Sequence, residues 1–100
     1  FKNIRNSIII IGNGNIVQRN HYKLYDALDI LKNKVMLTDL SENTKLDYMA
    51  EIETIKAQLA KSRPEKSIIK KAWEKIRTLS QIADLAELIA KIYSLIKIFL

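Results

Sequence analysis

The sequence predicts a mainly α-helical domain, in which a short N-terminal β-hairpin precedes a bundle of three or four helices. Three observations support this fold class. Apolar residues recur at alternating spacings of three and four over most of the chain. Glycine and proline are scarce, with two and one residues in 100, so few positions interrupt a helix. Only the N-terminal segment differs, because four consecutive isoleucines followed by Gly-Asn-Gly-Asn are typical of a strand and a tight turn.

The composition is that of one domain. A chain of 100 residues with a hydrophobic share of 48% can form a single core. We predict one domain over residues 1–100, with a hairpin segment at 1–20 and a helical bundle at 21–100. The chain begins with Phe1 rather than Met, which suggests that it is part of a longer parent protein. Cysteine is absent, which excludes disulfides and thiolate metal sites and favours the cytoplasm.

The N-terminal segment predicts a strand that one chain covers incompletely. Ile8–Ile11 is β-branched, Gly12–Asn15 supplies the turn, and Ile16 begins the return strand. The turn lacks a phosphate-binding pattern, because Val17 stands where G-x-G-x-x-G requires its third glycine. An isolated hairpin is marginally stable in water, and its isoleucines would face both sides. We expect the helices of the chain to cover one side and a partner to cover the other.

Each of the first three predicted helices has one apolar stripe. Asn20 is the predicted N-cap of the first helix, and the second begins near Asp39 or Ser41. Pro64 suits the first turn of the third helix. No Gly or Pro lies in residues 79–84, but we predict a bend there into a fourth helix, because globular helices average three to four turns. The three stripes are Leu24, Leu28, Leu31 and Val35; Tyr48, Ile52, Ile55 and Leu59; and Ile69, Ala72, Ile76 and Leu79.

The last predicted helix, within residues 82–100, has an unusually wide apolar surface. More than half of its circumference is apolar, which exceeds the stripe of an ordinary surface helix. We therefore expect this helix near the centre of the bundle, with its remaining apolar surface in contact with other copies or with lipid. Its polar residues form one narrow stripe, made of Asp84, Glu87, Lys91, Ser94 and Lys97.

No residue pattern predicts a reaction. His21 is the only histidine, and we expect it to be exposed in the first turn of the first helix. Without a second histidine or a cysteine, an ordinary zinc site is not predicted. Neighbouring acids, such as Asp26 and Asp29, lie on charged helix faces near lysines. No serine is placed for nucleophilic attack with a histidine base. We predict a non-enzymatic chain without a cofactor.

Self-association is the function that the two apolar ends predict. The hairpins of several copies would pair edge to edge, and the last helices would bury their apolar faces together. Each apolar side chain contributes about 1.5–3 kcal/mol when fully buried, which is enough in sum to offset the cost of association. The predicted product is a homo-oligomer. The residues predicted to make its contacts are Ile8, Ile10, Ile16, Leu88, Ile92, Leu95 and Phe99.

Two other functions stay open at this point. The formal net charge is +6, and residues 61–77 hold seven basic and two acidic residues, which could contact a nucleic acid. The competing interpretation of this basic segment is that Lys66 and Lys70 pair with Asp47 and Glu51 of the second helix. The last helix could instead act on membranes or form a pore, although charges interrupt it. The candidate polyanion contacts are Arg63, Lys66, Lys70, Trp73 and Arg77.

The order of segments resembles a small helical accessory domain at the C-terminus of bacterial abortive-infection proteins of the AbiTii-like kind. The matching stretches are Gly12–Asn15, Leu40–Glu42, Ile52–Leu59 and Lys61–Ile69. The tail departs from the pattern, because it has no glycine after the third helix. The resemblance implies an accessory module beside an effector domain of an antiphage-defence protein, and it supplies no catalytic residues.

Overall fold

A computed structural model describes the backbone at residues 8–10 and 16–18 and the whole of residues 21–100. The described chain is mainly helical, with four α-helices over residues 21–100, which confirms the mainly α-helical class and the predicted bundle of three or four helices. The helical segments are α1 (Tyr22–Met36), α2 (Glu42–Leu59), α3 (Lys66–Ile76), a 3₁₀ turn (Arg77–Gln81), α4 (Ala83–Ile96) and a second 3₁₀ turn (Lys97–Phe99).

Two short strands precede the helices. β1 (Ile8–Ile10) and β2 (Ile16–Gln18) run antiparallel, with Ile9 opposite Val17. The connecting residues 11–15 lie outside the described residues, and so do the side chains of both strands. The predicted turn and the predicted isoleucine contacts therefore stay predictions.

The first two helices form where the apolar periodicity places them. The predicted stripe of α1 is entirely buried, and so are the last three residues of the α2 stripe, while Tyr48 is half-buried at the edge of the core. Ser41 caps α2, because its Oγ accepts a hydrogen bond from the backbone N–H of Thr44 at 3.2 Å. Of the two predicted starts, Ser41 is the one that the structure adopts, and Asp39 is not. Asn20, the predicted cap of α1, lies outside the described residues.

The chain bends between α3 and α4, as predicted. The 3₁₀ turn tightens the end of α3, and Ile82 then takes an extended conformation with φ −88° and ψ 117° before α4 begins. Leu79 inside the turn is buried, so core packing sets the bend without a glycine or a proline. The reversal brings Tyr93 of α4 onto Trp73 of α3, with stacked rings whose centroids lie 6.3 Å apart.

The four helices close around one core. α1 packs against α2 and α4, α2 packs against α3, and the stacked rings of Trp73 and Tyr93 join α3 to α4. The predicted stripe of α3, which ends at Leu79, is entirely buried in this core. Every helix therefore forms one wall of the bundle.

α4 is a wall of the bundle rather than its centre, so this part of the prediction is wrong. Its neighbours meet it from one side, and the opposite side keeps apolar residues in solvent. Tyr93 is 51% exposed and Ile98, in the turn that follows, is 59% exposed. The predicted polar stripe is exposed as expected. The buried face of α4 consists of Leu85, Ile89, Ile92 and Ile96.

Candidate assembly surface

The residues predicted to make contacts between copies differ in their exposure in the structure. Ile92 is completely buried and Phe99 is 7% exposed, both within the core of one chain. The prediction that these two side chains contact another copy is therefore wrong. Leu88 and Leu95 are half-buried against the same core. The remaining predicted contacts belong to strands whose side chains lie outside the described residues, namely Ile8, Ile10 and Ile16.

Other large apolar side chains are exposed instead, and apart from Tyr22 and Ile30 on α1 they lie in two groups. One group lies at the connection between α1 and α2, where Leu37 is 85% exposed and Met36 and Leu46 are also exposed. The other lies on α4 and the C-terminal turn, where Tyr93 and Leu100 are exposed. Neither group is needed to complete the core of one chain.

The C-terminal group borders a groove of about 410 Å³ between α3 and α4. The buried Trp73 stacks on Tyr93, so the tyrosine ring is fixed although half of it is exposed. A fixed, half-exposed aromatic side chain binds a partner with little loss of conformational entropy. On the α3 side, Arg77 Nε donates to Glu74 Oε2 at 3.1 Å. Besides the buried Ile89, four residues of α4 and the C-terminal turn line the groove; they are called the outer α4 flank below and are Ala86, Ala90, Tyr93 and Leu100.

The exposed charges of α4 are ordered along the helix. Asp84 and Glu87 lie in its first half, and Lys91 and Lys97 lie towards and just beyond its end. None of the four takes part in an ion pair within the described part of the chain. The helix macrodipole favours this order in a single copy. The surface beside the outer α4 flank therefore changes from negative to positive along its length.

The predicted polyanion site is not assembled as expected. Trp73 is only 3% exposed and lies against Tyr93, so its ring cannot stack on a base. Arg77 is exposed but paired with Glu74. The other predicted contacts are exposed and form no ion pair among the described residues, and they are Arg63, Lys66 and Lys70.

The predicted ion pairs between the second and third helices have the wrong register. Glu51 pairs with Lys75, with 3.2 Å between Oε2 and Nζ, rather than with Lys66 or Lys70. Asp47 takes part in no ion pair among the residues that the structure describes. The acidic and basic helices do meet, but nearer to the C-terminal end of α3 than predicted.

A buried lysine ties α1 to α2. The Nζ of Lys56 contacts the carboxylate of Asp29, lies 3.3 Å from Glu53 Oε1, and sits 5.0 Å from the ring centroid of Tyr25. Lys32 donates to the same Glu53 oxygen at 2.8 Å. Burial lowers the pKa of Lys56, but its hydrogen bonds and its attraction to the two carboxylates outweigh burial and raise it. The cation is thus satisfied within the bundle, and its role is structural.

His21 is buried, so the prediction that it is exposed is wrong. Its ring meets that of Phe99 edge to face, with centroids 5.1 Å apart. Its Nδ1 is buried and has no hydrogen-bond partner in the described part of the chain. Burial lowers the pKa of His21 from its ordinary value of 6.5, because the charged ring would lose its hydration. The neutral imidazole therefore holds the C-terminal turn against the start of α1.

We expect the free energy of unfolding to fall as the pH drops below the ordinary histidine pKa. His21 binds a proton at about pH 6.5 in the unfolded chain and only at a lower pH in the folded chain. Its contribution to the free energy of unfolding is therefore present above pH 6.5 and is lost progressively below it. One proton changes stability by at most about 1.4 kcal/mol per pH unit. Urea denaturation between about pH 7.5 and about pH 5.5 measures the effect, because carboxylates stay ionised in this window.

The matched control for this pH dependence is His21→Leu, which keeps an apolar side chain of similar size. We expect its free energy of unfolding to be nearly constant over the same window. An equal pH dependence in His21→Leu and in the wild type would contradict the burial of the imidazole.

Two further clefts lie in the described part of the chain. A cleft of about 620 Å³ lies beside Leu37 and Ile82, and one of about 540 Å³ lies between α2 and α3, beside Tyr48 and Thr78. Neither is lined by a histidine. Among the described residues, no three His, Asp or Glu side chains are placed to hold a metal ion.

The described helices are also too short or too polar to cross a membrane. The described residues form a four-helix domain with exposed apolar side chains at the α1–α2 connection and on the outer α4 flank. Comparisons with protein-family models, with curated proteins and with solved structures found no match to this chain.

Proposed function

We propose that the chain is a non-catalytic assembly module that self-associates through the outer α4 flank. The observation that carries the proposal is the position of Tyr93, which is fixed on Trp73 and yet half-exposed beside two alanines. A rigid aromatic ring next to small residues offers both a protrusion and a space for the same protrusion of another copy. The N-terminal strands are a second proposed contact, made by edge-to-edge pairing.

The proposed contacts differ from the predicted ones for a physical reason. The core already holds Ile92 and Phe99, so these side chains gain nothing from association. Tyr93 and Leu100 remain partly in water in a single chain, and burying them between copies would remove that apolar area from solvent.

The proposed setting is the bacterial cytoplasm, where the module would serve an effector domain of an antiphage-defence protein. The absence of cysteine supports the compartment. The defence role is supported by the resemblance of four stretches to AbiTii-like accessory domains, the longest being Lys61–Ile69.

We expect light scattering at micromolar protein concentration to give a multiple of 11.6 kDa, the mass of one chain. Association should strengthen with concentration, because burial between copies follows mass action. A mass of one chain at every concentration that stays soluble would reject the proposed function.

Two assays separate the proposal from its alternatives. Salt-dependent binding of an oligonucleotide, lost in the Lys66→Ala and Lys70→Ala variants, would support a nucleic-acid module instead. Flotation of the chain with anionic liposomes would support a membrane-active role. This role is the less favoured one, because no helix among the described residues is long and apolar enough to cross a membrane. We expect neither result for the wild-type chain.

A further inference from the structure

We propose that two copies pair through antiparallel α4 helices, so that the outer α4 flank of each copy lies in the groove between α3 and α4 of the other. This inference rests on the proposed function and specifies its geometry. Three features of the chain support it, namely the spacing of the flank, the sizes of its residues and the order of the charges beside it.

The flank has the spacing of a helix–helix seam. Ala86, Ala90, Tyr93, Lys97 and Leu100 follow one another at intervals of 4, 3, 4 and 3. This alternation keeps a row of side chains on one side of a helix that packs against another helix. Four of these five residues line the groove, so the structure places the row on the side of α4 that borders α3. The core-facing row of α4 lies beside it, and one of its residues, Ile89, also lines the groove.

Residue sizes favour the antiparallel direction. If the twofold axis passes between Ala90 and Tyr93, each Ala90 faces Tyr93 of the other copy, and each Ala86 faces Lys97 of the other copy. Every large side chain then meets a small one, which lets two backbones approach without a void. A parallel pair would instead set Tyr93 against Tyr93 and alanine against alanine.

The charges agree with the same direction. In the antiparallel pair, Glu87 of one copy lies beside Lys97 of the other, and the symmetry repeats this contact. Both side chains are exposed and form no ion pair within the described chain, so both are free to pair between copies. A parallel pair would bring each charge next to its own kind.

The geometry predicts a specific pattern of crosslinks. The chain has no cysteine, so single cysteines can be introduced without interference. In the antiparallel pair, the two copies of residue 86 are about 16 Å apart along the helix axis, since eleven residues at about 1.5 Å each separate positions 86 and 97. Disulfides need Cα atoms within about 7 Å. Ala86→Cys should therefore crosslink to Lys97→Cys in a mixture and should not crosslink to itself.

The test combines crosslinking with sedimentation of full-length variants. We expect Ala90→Glu to weaken dimerisation by about a hundredfold or more, because two carboxylates would face the apolar seam. Ala57→Glu is the matched control, since Ala57 is exposed on α2, which contributes no residue to the groove, and its dimer should be as strong as that of the wild type. Circular dichroism verifies that both variants remain helical.

Charge reversal distinguishes two explanations for the order of charges on α4, namely ion pairs between copies and the effect of the helix macrodipole. Glu87→Lys and Lys97→Glu should each weaken the dimer roughly tenfold, since each removes two symmetry-related pairs. The double variant should restore dimerisation, whereas the macrodipole alone would make it the weakest of the three.

The outcomes distinguish the inference from the proposed function. A monomeric wild-type chain overturns both. A wild-type oligomer that Ala90→Glu does not weaken, or Ala86→Cys that crosslinks to itself, overturns the antiparallel arrangement and leaves self-association standing. Liposome flotation or oligonucleotide binding that Ala90→Glu abolishes in a monomeric chain would assign the groove to lipid or to nucleic acid, which also overturns the inference.

Discussion

The Ile92→Asp variant is expected to be unfolded at neutral pH. Ile92 is completely buried in the face of α4 that packs on the core. An aspartate there would have to place a carboxylate among aliphatic side chains without a partner, which costs several kcal/mol, in addition to the lost burial of isoleucine. A domain of this size has a total stability of about 5–15 kcal/mol. Far-UV circular dichroism should therefore show a large loss of helical signal.

The matched control is Ile98→Asp, which makes the same substitution at a residue that is 59% exposed. We expect this variant to keep its helical signal and a cooperative thermal transition. A folded Ile92→Asp variant would contradict the placement of Ile92 in the core and would return this residue to the list of possible contacts between copies.

The same comparison explains which part of the fold was predictable. In α1 and α3, the apolar stripe is narrow, so spacings of three and four identify the buried face without ambiguity. Leu28 and Ile76, for example, are both predicted and found in the core. In α4 the core row that contains Ile92 and the outer row that contains Tyr93 have the same spacing. The sequence alone does not decide which row faces the core, because that depends on where α1 and α3 meet the helix.

Register and long-range contacts were the other limits of prediction. Tyr48 contacts Thr78, and Glu51 contacts Lys75. In both contacts the two residues are equally distant in sequence from Arg63, which lies in the middle of the loop between α2 and α3. The loop therefore sets which residues of an antiparallel helix pair meet, and a pattern of charges does not reveal its centre. His21 was expected in solvent because the residue that buries it, Phe99, comes from the opposite end of the chain.

The sequence predicted the helix that carries the candidate assembly surface but not its residues. The wide apolar surface of the last helix predicted an association surface, and that idea stays a proposal. Of the individual residues, only Ile92 and Phe99 are found in the core instead. The row from Ala86 to Leu100 was overlooked because it contains two alanines and a lysine and is less apolar than the core row. Only the stacking on Trp73 identifies Tyr93 as a fixed and exposed side chain.

The second large effect is expected for Trp73→Ala, which should lower the free energy of unfolding by about 3–5 kcal/mol. Trp73 of α3 is 3% exposed, packs in the core of the bundle and supports the ring of Tyr93. Its removal leaves a cavity that neighbouring side chains fill only in part. Urea denaturation at one low protein concentration measures the loss, because association would otherwise add to the apparent stability.

Comparison with Tyr93→Ala connects the stability lost in Trp73→Ala to the proposed self-association. Tyr93 is half-exposed, so its truncation should cost only about 1 kcal/mol of stability while it weakens association. Trp73→Ala should weaken association as well, since Tyr93 loses the ring that fixes it. A tryptophan that stacks on nucleic-acid bases would behave in the opposite way, with little change in stability and a loss of oligonucleotide binding. A stability change near zero for Trp73→Ala would therefore contradict both the buried position of this side chain and the rigid anchor on which the assembly surface depends.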